Sequence, residues 1–232
     1  MNLHPDFTKL IVDALPDDVR DVLVRSNGAL CVAGGFCRDV LTGAEPKDID
    51  IFSKTPQDMK LAIADFDWTE DYTAKRTANS ESFVRDNGEG PDVQFITRVY
   101  LRDHYNALLT FDFSICQVGV WFDQENGWIG QASEAFLEDL PQFRMRYTAP
   151  ERDEDPGASL LRMVKFVARG WKISEADIAA VVGRFVAKLD QSIQRPCASL
   201  TEDDATNVVK SAFRRVGYAG KAAQPEEDEV PF

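Results

Sequence analysis

Two histidines and four cysteines in 232 residues leave little material for a metal site built on nitrogen or sulfur. Cys31, Cys37, Cys116 and Cys197 contain no C-x-x-C pair, and His4 and His104 fall at no ligand spacing from them, which argues against a zinc centre. The thiols read instead as small buried or half-buried side chains in a reducing compartment. Positive charge is also scarce: 26 Lys and Arg stand against 39 Asp and Glu, a net charge of −13. That balance argues against a protein that coats nucleic acid through a broad basic face. No apolar run approaches the roughly 18–20 residues that span a bilayer. The opening Met-Asn-Leu-His-Pro-Asp lacks the basic and then apolar order of a secretory signal. The expectation is a chain with no membrane partner, in the cytoplasm of a bacterial or phage-infected cell.

What is present is an ordinary globular composition, 44% hydrophobic and 28% charged. The length suits one substantial core, or one domain followed by a smaller one. The richest stretch is Cys31-Val-Ala-Gly-Gly-Phe-Cys-Arg-Asp-Val-Leu-Thr-Gly-Ala-Glu-Pro-Lys-Asp-Ile-Asp-Ile-Phe52. It reads as a strand, a double-glycine turn, a short helix, a Gly/Pro loop and a second strand. Gly34 and Gly35 let the backbone approach a ligand and take φ > 0. A glycine turn that opens a helix aims unpaired N–H groups and the positive end of the helix dipole at one spot, which suits a phosphate. Strand alternation puts Asp48 and Asp50 on one face and Ile49 and Ile51 on the other. Two adjacent carboxylates repel unless a cation lies between them, and hard oxygen ligands suit Mg²⁺.

Gly34-Gly35-x-x-Arg38-Asp39 followed by Asp48-x-Asp50, with Leu41, Gly43 and Lys47 also in place, resembles the signature of the polymerase-β-type nucleotidyltransferase superfamily. The pattern is most similar to the head domain of tRNA CCA-adding enzymes and bacterial poly(A) polymerases. The resemblance implies an α+β fold: a small mixed β-sheet head flanked by helices, then a helical neck. It also implies a nucleoside triphosphate substrate and a two-metal Mg²⁺ site on Asp48 and Asp50, with Mn²⁺ able to substitute. In that frame Gly34 and Gly35 cradle the triphosphate, and Arg38 or Lys47 supplies countercharge. Arg38 and Asp39 read equally as a structural pair that fixes the helix.

Leu109-Thr-Phe-Asp112-Phe-Ser-Ile-Cys116 is similar to the family's R-R-D-F-T-I-N motif, which lies against the nucleotide and makes Asp112 a catalytic candidate. Phe111 stands where that motif has arginine and Cys116 where it has asparagine, so polar contacts to the sugar are lost. A third metal-binding carboxylate is expected on the strand beside Asp48-x-Asp50. Gln94 occupies that place, with Asp92 two residues before it on the same face. Leu161-Arg-Met-Val-Lys-Phe-Val-Ala-Arg169 resembles the family's first helix after the head, which makes Arg162 and Lys165 candidates for phosphate contact. In that helix Leu160, Leu161, Val164 and Val167 are expected to form the core face, opposite a ridge of Arg162, Lys165 and Arg169.

Helices are further expected in two pieces over 5–27, from Pro56 behind the cap Thr55, over about 132–140, and from Ser174 to about Leu189. Met59, Leu61, Ala62 and Phe66 would be the apolar side of the Pro56 helix. Short strands are expected around 69–75, 82–85, 92–97 and 118–122, with Asp86-Asn87-Gly88 as a hairpin turn. Residues 1–148 thus read as the head, 149–216 as the neck and 217–232 as a flexible acidic tail. A helix from Thr201 has acids in its first turn and Lys210, Arg214 and Arg215 towards its end. The tip Val230-Pro231-Phe232 behind an acidic run is similar to the C-terminal tip of single-stranded-DNA-binding proteins, and so implies a replication or repair partner. The neck lacks an E-D-x-x-R nucleotide-selecting motif, so CCA addition itself is not implied. The acceptor of the transfer stays open among an RNA 3′ end, a protein side chain and a small molecule. A catalytically reduced head kept for binding or scaffolding is the alternative.

Overall fold

The computed structural model describes residues 1–66, 72–77, 79–86, 88, 90–100, 103–148 and 156–188. Two helices, α1 (Pro5–Asp13) and α2 (Asp17–Ser26), open the chain; Asn27 ends α2 in the left-handed region at φ 44°. Strand β1 (Leu30–Ala33) then enters the core, and α3 (Gly35–Thr42) starts on the double glycine and stops at Gly43, φ 71°. Strand β2 (Asp48–Ser53) carries the aspartate pair. Helix α4 (Pro56–Asp65) begins as the sequence predicts: the Thr55 hydroxyl accepts from the Asp58 N–H at 3.1 Å, with proline in the first turn.

Three strands follow, β3 (Tyr72–Arg76), β4 (Ser80–Arg85) and β5 (Asp92–Tyr100). After short α5 (His104–Leu108) come β6 (Val118–Asp123), β7 (Gly127–Ala132) and α6 (Glu134–Asp139). The sheet order is β3-β4-β5-β2-β1-β6-β7, with β2 and β5 parallel and the other neighbours antiparallel. This is the expected α+β head around a mixed sheet. α5 and β7 go beyond the sequence reading. Gly127-Trp-Ile-Gly-Gln-Ala132 has no clean alternation, and Gly130 is needed because a Cβ there would collide with the Thr8 hydroxyl of α1.

One sheet face is covered by α1 to α4. Val32, Ile49, Ile51, Val93 and Phe95 are fully buried there with Ile11, Leu23, Phe36 and Met59. The other face is shared. Cys31, Ala33, Phe52 and Trp121 pack under α5, while the outer end of β2 is left open with Asp48 and Asp50. The α4 expectation needs one correction. Met59 and Ala62 are buried but Leu61 is 53% exposed, because α4 lies on β2 and β5 with a stripe too narrow to include it.

The neck helices α7 (Pro156–Ala168) and α8 (Glu175–Lys188) do not sit apart from the head. Met163, Phe166, Trp171 and Val181 share one apolar cluster with Phe113, Ile115, Met145 and Tyr147 of the head. This corrects the expected core face of α7. Val164 and Val167 are 55% and 47% exposed, while Met163 and Phe166 point inward. The helix is rotated because Phe166 and Arg162 both have partners in the head: Phe113 lies edge-on to Phe166 at 5.7 Å, and Asp112 binds Arg162. The linker centre 149–155, the Asn87 turn position, the helix from Thr201 and the tail with Val230-Pro231-Phe232 lie outside the described residues.

Candidate active site

The site grows from the end of β1. Gly34 has φ 90°, a conformation that side chains rarely adopt, and the place of a Cβ on it is 3.4 Å from the Phe111 ring. The backbone conformation, rather than the space beside Phe111, is what favours glycine there. The Gly34 N–H donates to the Val118 carbonyl, so it serves the sheet rather than a ligand. The next three N–H groups, of Gly35, Phe36 and Cys37, open α3, and the glycine N-cap offers no side chain to satisfy them. That uncapped helix start lies where the sequence leads one to expect an anion-binding element.

Beside it, β2 and β5 run in parallel register with Asp48 opposite Asp92 and Asp50 opposite Gln94. In-register neighbours share a face, so all four polar side chains line the open end of the sheet. The register thus separates the two candidates for a third carboxylate. The neutral Gln94 flanks Asp50, and Asp92 flanks Asp48 while accepting from the Arg85 N–H at 3.3 Å. Among the described residues no group of three or more His, Cys, Asp or Glu side chains is arranged to hold a metal ion.

Electrostatics mark the pair. Burial, and then the charge of Asp48, push the Asp50 carboxyl up to about 7, against the pull of Arg162 and Arg98. Asp48 is raised too, by desolvation and by Asp39, with Arg38 and Arg169 opposing and Asp92 adding to the rise. Two carboxylates thus face each other with guanidinium groups around them.

The predicted phosphate partners separate in the structure. Arg38 is only 3% exposed; its Nε and Nη2 donate to Asp39 Oδ1 at 2.7 and 2.6 Å, and Nη1 reaches Cys116 Sγ at 3.6 Å. Its guanidinium also lies 4.8 Å from the centre of the Phe166 ring. This is the structural pair of the two readings, bracing α3 against the neck. Asp112 is buried and accepts from Arg162 Nε and Nη2 at 2.9 and 2.6 Å, so these two candidates form one bridge between head and neck. Arg162 still acts on Asp50, which places it at the edge of the cleft. Lys47 and Lys165 are exposed, and neither is among the charges that shift Asp48 or Asp50. Cys31, Cys37 and Cys116 are buried free thiols, as expected, and burial pushes Cys31 up to about 12 and Cys116 to about 11.

Sequence reasoning missed Arg98. Between Ile51↔Phe95 and Ser53↔Tyr100 the register of β5 slips by several residues, a bulge that leaves Arg98 exposed within electrostatic reach of Asp50. No residue pattern announces that slip. It also missed a buried knot behind the site. Asp139, fully buried, accepts from the Ser114 hydroxyl at 2.6 Å, from Arg144 at 2.7 Å and from Arg146 at 2.8 Å.

A family model described as Gabija anti-defense 2 family protein, Gad2, matches residues 5–142. The chain belongs to the Gabija anti-defense 2 family. The matched span of this family member runs from α1 through the glycine turn and both aspartates to three residues past the end of α6. Among curated proteins the chain is 26% identical over 184 residues to the human mitochondrial CCA tRNA nucleotidyltransferase 1, covering 71% of this chain and 40% of that protein. Solved structures with the same fold include the Thermotoga maritima CCA-adding enzyme complexed with tRNA (TM-score 0.55, 16% identity, 91% of this chain and 53% of that one). Another is a CCA-adding enzyme in complex with CTP (TM-score 0.56, 16% identity, 89% and 49%). The fold is that of a nucleotidyltransferase head, and the chain spans about half the length of these relatives. They lend no support to a replication or repair partner.

Proposed function

We propose that this chain is a nucleotidyltransferase that moves a nucleoside monophosphate from a nucleoside triphosphate to an acceptor hydroxyl. The acceptor oxygen bonds to the α-phosphorus, the bond from that phosphorus to the α–β bridging oxygen breaks, and pyrophosphate leaves. The observation that carries this reading is the Asp48–Asp50 pair, raised by burial and by neighbouring carboxylates, on the open sheet end beside the uncapped start of α3. Residues 35–37 offer backbone N–H groups to the phosphates. Arg98, Arg162 and Arg169 supply positive charge around the aspartates.

The donor set fits a hard divalent cation. Two carboxylates project from one strand face, and a cation between them would offset the burial and the Asp48 charge that lift Asp50. Asp48 and Asp50 would hold the Mg²⁺ or Mn²⁺ that the resemblance implies, and Gln94 adds no charge to that set. Bound there, such ions would neutralise phosphate charge and make the acceptor hydroxyl more acidic. The protein itself orients the triphosphate along α3 and holds Asp50 ready to give up its proton near neutral pH. The Asp112–Arg162 bridge ties α7 to the segment that follows α5.

The test incubates the full chain with each α-labelled nucleoside triphosphate and Mg²⁺ or Mn²⁺, in separate arms with RNA, cell protein and small metabolites. The RNA arm follows from the CCA-adding relatives, and the protein arm from a family named for anti-defense. Transfer to one acceptor class should fall by about a thousandfold or more in Asp48→Asn/Asp50→Asn. Nucleotide binding with no labelled product in any arm would move the reading to a binding or scaffold protein.

A further inference from the structure

The two outer edges of the sheet are protected unequally. Strand β3 presents Lys75 and Arg76, exposed charges that discourage another strand from pairing there. Strand β7 at the other edge, Gly127-Trp-Ile-Gly-Gln-Ala132, carries no charge. Its cover is begun and not finished. Asn2 pairs antiparallel with Gln131, the Ala132 N–H donates to the Met1 carbonyl at 2.9 Å, and the Leu3 N–H donates to the Gly130 carbonyl at 2.8 Å. At Pro5 the chain turns away into α1. β6 and β7 pair in unbroken register from Val118↔Ala132 to Asp123↔Gly127, so the backbone groups of alternate residues, 128, 130 and 132, point outward. Among the described residues the Gly130 N–H and both backbone groups of Trp128 therefore have no partner.

Beside these groups lies a cavity of about 550 Å³, lined among others by Leu3, Lys9, Val12, Asp13, Arg20 and Trp128. It is on the helix-covered face, three strands away from β2 and on the opposite side from its aspartates. We propose that this edge and its groove bind an extended segment of a partner protein. The segment adds a strand beside β7, sets an apolar side chain against Trp128 and brings a carboxylate to Lys9 or Arg20. Outward backbone groups at every second residue call for an extended chain. Lys9 and Arg20 against Asp13 make the lining positive on balance in a chain of net charge −13, which favours an acidic segment. Each cation already pairs along its own helix, Lys9 with Asp13 and Arg20 with Asp17, in surface pairs that a ligand carboxylate can share. A second copy suits the groove less well: two such acidic chains repel, and the β7 of a copy brings no carboxylate. This proposal does not rest on the chemistry at Asp48 and Asp50.

A phage-displayed library of random peptides, selected on the full chain, tests it. Enriched peptides should carry an apolar and an acidic residue on one strand face. A synthetic peptide of the enriched sequence should slow exchange of the Trp128 and Gly130 amides by about tenfold or more. Trp128→Pro removes an outward N–H without touching the bonds to β6, and should weaken binding about tenfold more than Trp128→Ala does. Lys9→Glu/Arg20→Glu should weaken it by about tenfold. N-methylation of one alternate set of the peptide amides should abolish binding to the unaltered chain, and methylation of the other set should not, a result no misfolded variant can mimic. The absence of enriched peptides, equal loss from both methylated sets, or binding that survives Trp128→Pro would overturn the proposal. So would a mass that doubles with concentration in the wild type and not in Trp128→Pro, since a second copy would then occupy the edge.

Discussion

Asp139 and Asp50 are the same side chain drawn into the same domain, and their surroundings are opposite. Asp139 is fully buried and meets a serine hydroxyl and two arginines, so every lone pair has a donor. Asp50 is half-buried beside a second carboxylate, and its arginines are near enough to pull on it but not to close a bridge. A satisfied buried carboxylate fixes structure, here the turn between α6 and the neck. An unsatisfied one stores repulsion that only a proton or a cation relieves. The contrast also sorts the arginines. Arg38 and Arg162 are spoken for by Asp39 and Asp112, whereas Arg98 has no ion-pair partner among the described residues.

Breaking the contrast at its structural end has the largest expected effect. Asp139→Ala strands two arginines and a serine and should cost about 3 kcal/mol in urea unfolding, with any transfer activity lost only in proportion to the unfolded fraction. At the other end the sign reverses. The folded pKa of Asp50 lies above that of an unfolded aspartate, so wild-type stability falls as pH rises from about 4 to about 7. Asp50→Asn should therefore be more stable than wild type at pH 8 with chelator present, by on the order of 2–3 kcal/mol. The gain should vanish below about pH 4 and shrink when Mg²⁺ is added. A variant that is less stable at pH 8 would show that Asp50 has a partner after all.

The bridge between head and neck comes next. Arg162→Ala leaves Asp112 buried without its donor pair and should cost about 2 kcal/mol; Arg162→Lys should recover part of it. Equal stability in all three proteins would mean the bridge is idle. The smallest effect is expected at Arg98. Arg98→Ala should leave Tm unchanged and raise KM for the nucleoside triphosphate on the order of fivefold, with kcat little altered. A change in Tm alone would assign Arg98 to the fold instead.

Much of the head was legible because its signals are local. Gly34 and Gly43 mark backbone positions that need positive φ, Thr55 and Ser174 are caps, and alternation along β2 placed Asp48 and Asp50 on one face without any knowledge of neighbours. The rotation of α7 was not legible, since Val164 and Met163 are equally apolar and only the head decides which is buried. Nor was β7, whose Gly130 answers to Thr8 of a distant helix. The position of Gln94 could be read, but its pairing with Asp50 required the register.

By itself the sequence determined the glycine turn, the aspartate pair and the caps of α4 and α8, because each depends on residues within a few positions of one another. Only the tertiary structure decided which charges are free. It paired Arg38 with Asp39 over Phe166, closed Arg162 on Asp112, and left Asp48 and Asp50 facing each other. A charge has no partner until distant segments meet, and burial, which sets the strength of that partnership, belongs to the packed molecule alone.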